Sequence, residues 1–329
     1  MNTIALELEA LSFGAPQHHG HLTVFPLLHP SPRVPFYLTL DEALAQGRIQ
    51  VTEVSKGGHV PELLLVNQGD RPILLIDGEE LVGAKQNRVL NLTLLAPAHS
   101  ELVIPVSCVE QGRWHSVSAT FAAAPRVQFS ASRAAKVASV TQCLASEGRA
   151  VSDQGEVWED IARKTRRMGV ASETGAMADL FEHAGSQIED YVGAFTALPG
   201  QTGAIFALAG KVVGLELFFS PDTLAKLLPK LVRSYALDAI EIPGTDSPPA
   251  PPDGAASFLR QVTTAQVQRF PGIGAGETLR LAAPCLAGVG LHAEGALLHL
   301  AAFRTDRNGG GTPEGRRSNM ARASRRFRY

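Results

Sequence analysis

Between Arg71 and Trp114 the chain places side chains that bind anions, stack on rings and move protons inside text that otherwise reads as apolar strand. RPILLIDGEELVGAKQNRVLNLTLL carries Asp77, Glu79, Glu80, Lys85, Gln86, Asn87, Arg88 and Asn91, and IPVSCVEQGRW adds Glu110, Gln111, Arg113 and Trp114. Lys and Arg beside Gln and Asn amides suit a phosphate or carboxylate, and the Trp114 indole offers a face on which a base or sugar can stack. The expected ligand set is therefore Lys85, Gln86, Asn87, Arg88, Asn91, Gln111, Arg113 and Trp114. Glu79, Glu80 and Glu110 are the candidate catalytic residues, as general bases or as oxygen ligands for a divalent cation. The competing reading of the same strip is a buried ion-pair network that ties loop to sheet.

Two members of the strip have plainer explanations. Asp77-Gly78, inside ILLI-DG-EELV, carries the two-residue signature of a hairpin turn. Leu102, Ile104, Val106 and Cys108 share one strand face, which puts the Cys108 thiol in the core rather than in the role of nucleophile. Gly83 to Arg88 and Glu110 to Trp114 are not explained in this way. If neighbouring strands run antiparallel, these two corners meet at one sheet edge.

Other polar groups are weaker candidates. His18, His19 and His21 form HHGH without a second ligand cluster at a metal-site spacing, so they read as solvated loop. Glu216 sits in the apolar strand VVGLELFF, where a carboxylate is costly unless paired, so it is either paired with a cation such as Lys211 or Arg88 or part of the site. His292 and Glu294 share a face of the last hairpin. Arg163, Lys164, Arg166 and Arg167 form a basic helical turn of the kind that usually faces solvent. The chain has no Walker loop, GxGxxG after a strand, GxSxG elbow or HExxH, so the usual support for nucleotide hydrolase, dinucleotide oxidoreductase, serine hydrolase and zincin chemistry is missing.

The elements that must position the strip are strands. From Ile4 to Pro125 short apolar runs (22–28, 49–54, 61–67, 72–82, 88–95 and 101–110) alternate with Gly, Pro and Asn signals, and only Thr39 to Gln46, with a capping Thr and a closing Gly, reads as helix. Apolar spacings of three and four then give helices over 130–146, 154–168 and 174–195. A hairpin around Ala209-Gly210-Lys211 leads to a helix capped by Ser220 with Pro221 in its first turn. The proline-rich 242–254 reads as an extended loop, 255–270 as a helix, and 277–282 and 288–303 as closing strands. The expected fold is α+β, with an N-terminal antiparallel sheet or sandwich (1–125), a helical middle (130–200) and a mixed 201–304 whose strands pack on it. Residues 1–304 are taken as one domain and 305–329 as a disordered basic tail.

With 45% apolar and 19% charged residues the chain reads as globular, and no apolar run reaches the roughly 20 residues of a bilayer span. The acids Glu7 and Glu9 stand where a signal peptide would be basic, and three widely spaced cysteines support neither a disulfide framework nor a thiolate zinc site. A cytoplasmic setting is expected. The tail from Thr305 holds seven Arg against Asp306 and Glu314; removing it from 30 basic and 32 acidic residues leaves 23 and 30. An acidic body argues against nucleic-acid binding except through the tail.

LIDGEELVGAKQNRVLN followed by IPVSCVEQGRW, then GKVVGLELF and a final GLHAEGALLHLAAF strand pair, resembles the ARG and rhodanese-phosphatase-superfamily-associated protein domain, a bacterial family named for the domains it accompanies. The likeness spans roughly Ile4 to Phe303. It implies an α+β domain and links the chain to ADP-ribosylglycohydrolases and phosphatase-like enzymes, in stress response or ADP-ribose metabolism. Such a partner would be a separate polypeptide here. The resemblance brings no catalytic set and no cofactor. Three functions fit: an accessory protein binding an anionic small molecule of the nucleotide, ADP-ribose or phosphosugar type; a hydrolase acting on such a ligand; or a structural, oligomerising protein.

Overall fold

The computed structural model describes residues 3–31, 33–55, 57–58 and 60–305. The basic tail, from 306 onward, lies outside the described residues. Strands dominate both ends of the chain, with helices between them, giving the expected α+β class.

The largest element is a nine-stranded antiparallel sheet. Its path runs Ser12–Phe13, Leu22–Leu28, Gln201–Leu208, Lys211–Phe218, Ala296–Arg304, Leu286–Ala293, Glu277–Ala283 and Gln266–Pro271, with Gln17–His19 also paired to Leu22–Leu28. Successive side chains of a strand point to opposite faces, so each strand feeds two cores. Val24, Phe206, Phe218, Val289 and Phe303 pack toward the helices Ser130–Glu147 and Pro221–Ile240. Phe25, Ile205, Leu217, Leu281 and Leu300 pack toward the helices Thr3–Glu9 and Pro252–Thr263. Each large aliphatic or aromatic side chain buried this way contributes about 1.5–3 kcal/mol.

The remaining strands make two smaller sheets. One has six antiparallel strands in the order Phe121–Val127, Glu79–Gly83, Arg88–Leu90, Ser100–Cys108, Glu62–Asn67 and Ile49–Glu53. The other joins Leu94–Ala96, Ile73–Leu75 and Leu38–Thr39, the last pair parallel. A third core lies among these strands, the helix Leu40–Ala45 and Val140 and Leu144 of the helix Ser130–Glu147. Thr39 caps Leu40–Ala45 with a full capping box to Glu42, as TLDE suggests.

Four sequence expectations give way to tertiary context. Asp77-Gly78 does form a tight turn, Glu79 N donating to Ile76 O at 3.2 Å, but its flanking strands do not pair with each other. Ile73–Leu75 belongs to the three-stranded sheet and Glu79–Gly83 to the six-stranded one, so the turn switches the chain between sheets. Thr3–Glu9 is a helix, although Ile4, Leu6 and Leu8 alternate like a strand. Ile4 and Leu8 are buried while Leu6 is 46% exposed, which is a four-residue period. The helix expected over 174–195 is broken into Met177–His183 and Gly185–Ala194, and the helix from 255 stops at Thr263 because Gln266–Pro271 adds to the edge of the large sheet. No helix among the described residues is long and apolar enough to cross a membrane.

Candidate functional site

The two corners meet because Arg88–Leu90 and Ser100–Cys108 are antiparallel neighbours, with Cys108 opposite Arg88. Val109 N then donates to Asn87 O at 3.0 Å and carries the pairing one residue past the strand. Glu110 bridges to Ala176, and Gly112 N reaches Thr174 O at 2.6 Å, so the segment before the helix Met177–His183 supports the second corner from behind. A Cβ on Gly112 would stand 2.9 Å from Thr174 Cα, so this approach requires glycine.

Glu110 and Arg113 form the hub of the corner. Arg113 donates through Nε to Glu110 Oε1 at 2.9 Å and through Nη2 to Oε2 at 2.6 Å, a bidentate fork. It also donates to Ala84 O at 2.7 Å and Asn87 Oδ1 at 3.1 Å. Glu110 accepts further bonds from Asn87 N and the Thr174 hydroxyl, each at 3.1 Å. Burial works to raise the carboxyl of Glu110, but the Arg113 fork and the Asn87 amide outweigh it and hold the group below its ordinary value. Both corners are thereby stapled together by fully engaged polar groups.

Beyond the hub the arrangement changes from satisfied to open. Arg88 is wholly buried; its Nη1 donates to Gln86 Oε1 at 2.7 Å, while Nε and Nη2 have no hydrogen-bond partner among the described residues. Its guanidinium lies 5.7 Å from the Trp114 ring centroid, and Lys85 Nζ lies 5.2 Å from the same ring. Trp114 is 47% exposed. Lys85 Nζ also donates to Gly57 O at 2.6 Å. Glu53, at the end of its strand, accepts from Lys85 N through Oε1 and leaves Oε2 buried and unpartnered among the described residues. A cleft of about 550 Å³ opens beside them, lined by Thr52, Glu53, Lys85 and the turn Ser116–Ala119 among others. The corner thus offers two cations, one acceptor and an aromatic face.

The other expected residues go elsewhere. Gln86 anchors the corner, donating to Glu110 O at 2.9 Å and accepting from Arg88 and the Cys108 thiol. Gln111 is exposed at its rim. Asn91 is buried away from it, bonded to Ala150 O and Ser107 Oγ. Glu80 is buried against Arg126 at 2.5 Å, and burial raises its carboxyl although Arg126 opposes the shift. Glu79 faces the opposite way, accepting from Ile76 N and from Lys230 Nζ, both at 2.9 Å. Cys108 is fully buried and burial raises its thiol. Glu216 is paired, but with Arg133 at 2.6 Å and His299 at 3.1 Å rather than with Lys211 or Arg88. Glu294 lies exposed in the turn before the last strand, and His18 bonds to Thr23 and Asp246. Glu53 is the corner residue that sequence reasoning missed: its only signal is a lone acid ending IQVTE, four residues before a Gly-Gly pair that starts at Gly57.

The family model described as the ARG and Rhodanese-Phosphatase-superfamily-associated Protein domain matches residues 10–303 of this sequence, from just before the strand Ser12–Phe13 to the penultimate residue of the strand Ala296–Arg304. The chain belongs to this family. No curated protein and no solved structure matches it. Membership of the family covers both the corner and the large sheet, so the residues that build the corner are part of the domain itself.

Proposed function

We propose that the corner binds an anionic small molecule of the nucleotide, ADP-ribose or phosphosugar type, and that the protein serves as an accessory to enzymes of ADP-ribosyl or phosphoryl chemistry. One observation carries the reading: a buried guanidinium, Arg88, keeps two nitrogens, Nε and Nη2, without hydrogen-bond partners among the described residues, beneath an exposed indole. A buried donor left unmade is costly, so such a group is retained where something else completes it. A phosphoryl group would accept from Arg88 and Lys85, a base or sugar would cover Trp114, and Glu53 Oε2 would take a hydroxyl or amino hydrogen. The family's name supports the ligand class by linking the domain to ADP-ribosylglycohydrolases and phosphatase-like proteins. Glu79, Glu80 and Glu110 are each engaged in an ion pair, which favours binding over hydrolysis.

The test is calorimetric titration and thermal shift with nucleotides, ADP-ribose and phosphosugars. The comparison is between the wild type and a Trp114→Ala, Lys85→Ala variant, which leaves the buried hub untouched. Loss of the stack alone should weaken binding by about 1–3 kcal/mol, about 5- to 150-fold. Binding that is equal in both proteins, or absent across the panel in the wild type, would refute the proposal.

A further inference from the structure

We propose that the interior between the Asp77 turn, the helix Ser130–Glu147 and the strand Glu277–Ala283 is a second ligand site, holding one small inorganic oxyanion of the phosphate or sulfate class against Arg280, with Arg133, Lys136 and Thr278 beside it. Arg280 is 1% exposed, and Nε, Nη1 and Nη2 all lack a hydrogen-bond partner among the described residues. Thr278, two residues along the same strand face, is equally buried and its hydroxyl is also unpartnered there. Arg133 Nη2 is in the same condition. These donors come from two elements, and the carboxylate that acts on Arg280, Asp77, whose two oxygens also lack hydrogen-bond partners among the described residues, already lies against Lys136 and Arg133.

The charges do not balance. Arg133, Lys136 and Arg280 stand against Asp77 and Glu216, three cations to two carboxylates, all with relative exposures of 2% or less. Asp77 is taken by Lys136 Nζ at 2.8 Å and lies 3.5 Å from Arg133 Nε, and Glu216 is taken by Arg133 and His299. Arg280 feels Asp77 through space but forms no ion pair among the described residues. His299, with its ring nitrogens 2.8 Å from Thr93 Oγ1 and 3.1 Å from Glu216 Oε2, brings no negative charge to the set. One positive charge is therefore uncompensated in a region closed to solvent. A guanidinium does not readily shed its proton, and burial brings Arg280 down only to about 10. Buried charges persist where they are paired, and an oxyanion supplies both the missing charge and several acceptor lone pairs. The rival resolution is internal: burial brings Lys136 down to about 8, and its deprotonation would balance the set without any ligand.

The experiment separates the two. Protein is exchanged exhaustively into gluconate buffer at neutral pH, unfolded by heat in urea, and the released ions are counted by ion chromatography. In parallel, the thermal midpoint is followed against sulfate and inorganic phosphate at constant ionic strength. The wild type is expected either to release about one equivalent of phosphate or sulfate, or to gain about tenfold in folding constant per tenfold rise in the ion above its Kd. Arg280→Met, which removes the surplus charge at similar length, is expected to release none and to respond to neither ion. The Trp114→Ala, Lys85→Ala variant is expected to behave as wild type, which assigns the ion to the interior rather than to the corner. A wild type that releases no ion and shows a flat midpoint overturns the site, and so does an undiminished response in Arg280→Met. Should Arg280→Met fail to fold, Thr278→Val serves instead, with an expected affinity loss of about tenfold, the worth of one hydrogen bond to a charged group. Unchanged affinity there overturns the assignment.

Discussion

Glu110→Gln keeps the shape of the hub and removes its charge. The carboxylate is 6% exposed and accepts from Arg113 at 2.9 and 2.6 Å, from Asn87 N and from Thr174. Leaving one ion of a buried pair uncompensated costs about 3–5 kcal/mol. The glutamine amide retains part of the bonding to Arg113, Asn87 and Thr174, so a discounted loss of about 2 kcal/mol is expected. With a urea m-value near the top of the ordinary range, about 3 kcal/mol per M, the unfolding midpoint should fall by about 0.7 M. The pH dependence is a stricter check. Because Glu110 is held below its ordinary 4.5 in the native protein, its contribution is fully present above that value and is lost as the pH falls below it. The midpoint gap between wild type and Glu110→Gln should therefore be constant near neutral pH and close in acid. Coincident midpoints at neutral pH, or a gap that persists in acid, would refute the view that an ion pair staples the two corners.

Lys230→Met should cost about 3–5 kcal/mol by urea unfolding, because it leaves Glu79, 1% exposed, without its cation; a loss below about 1 kcal/mol would contradict this. Cys108 should resist alkylation in the native protein, since it is fully buried with a raised thiol, while the partly exposed Cys143 and Cys285 react; mass spectrometry of the labelled peptides decides it. In the ion-free protein burial brings Lys136 down to about 8 against an ordinary 10.5, with Asp77 opposing the fall and Arg133 and Arg280 adding to it. Between those values the unfolded chain binds the proton and the native protein does not, so stability gains a term that rises with pH. Lys136→Met should remove that slope, and identical pH profiles for the two proteins would show that Lys136 does not titrate there.

The polar strip was legible because charge inside strand text is costly and conspicuous, and antiparallel pairing was enough to bring its two corners together. The partition of roles within it was not. Whether Glu110 is a free base or the clasp of Arg113 depends on Thr174 and Asn87, one of them 64 residues away, and no local pattern encodes that distance. Glu53 escaped for the same reason. The helix Thr3–Glu9 was misread because TIALELE satisfies both a two-residue and a four-residue period, and only docking on the helix Pro252–Thr263 selects between them. Asp77-Gly78 shows a subtler limit: turn chemistry was correctly written in the sequence, yet the same turn can close a hairpin or pass a chain between sheets.

That turn also links the interior to the corner. Glu79–Gly83 begins beside Asp77, whose carboxylate meets Lys136 and Arg133, and ends at Gly83, whose amide donates to Asn87 Oδ1 at 3.2 Å. A Cβ on Gly78 would lie 2.7 Å from Arg133 Nε, so the turn fits the buried guanidinium only without a side chain. Glu79 adds a second fixed point through Lys230 on the helix Pro221–Ile240. Buried ion pairs contribute little net stability compared with apolar packing of the same volume, but a misplaced one is costly, so they penalise wrong registers. A one-residue slip of this strand would separate Asp77 from Lys136 and Glu79 from Lys230 at once, and would turn its side chains to the wrong faces. The interior charges thus fix the strand that presents Gly83, Ala84 and Asn87 to Arg113, which is how a solvent-free core can set the geometry of an exposed corner.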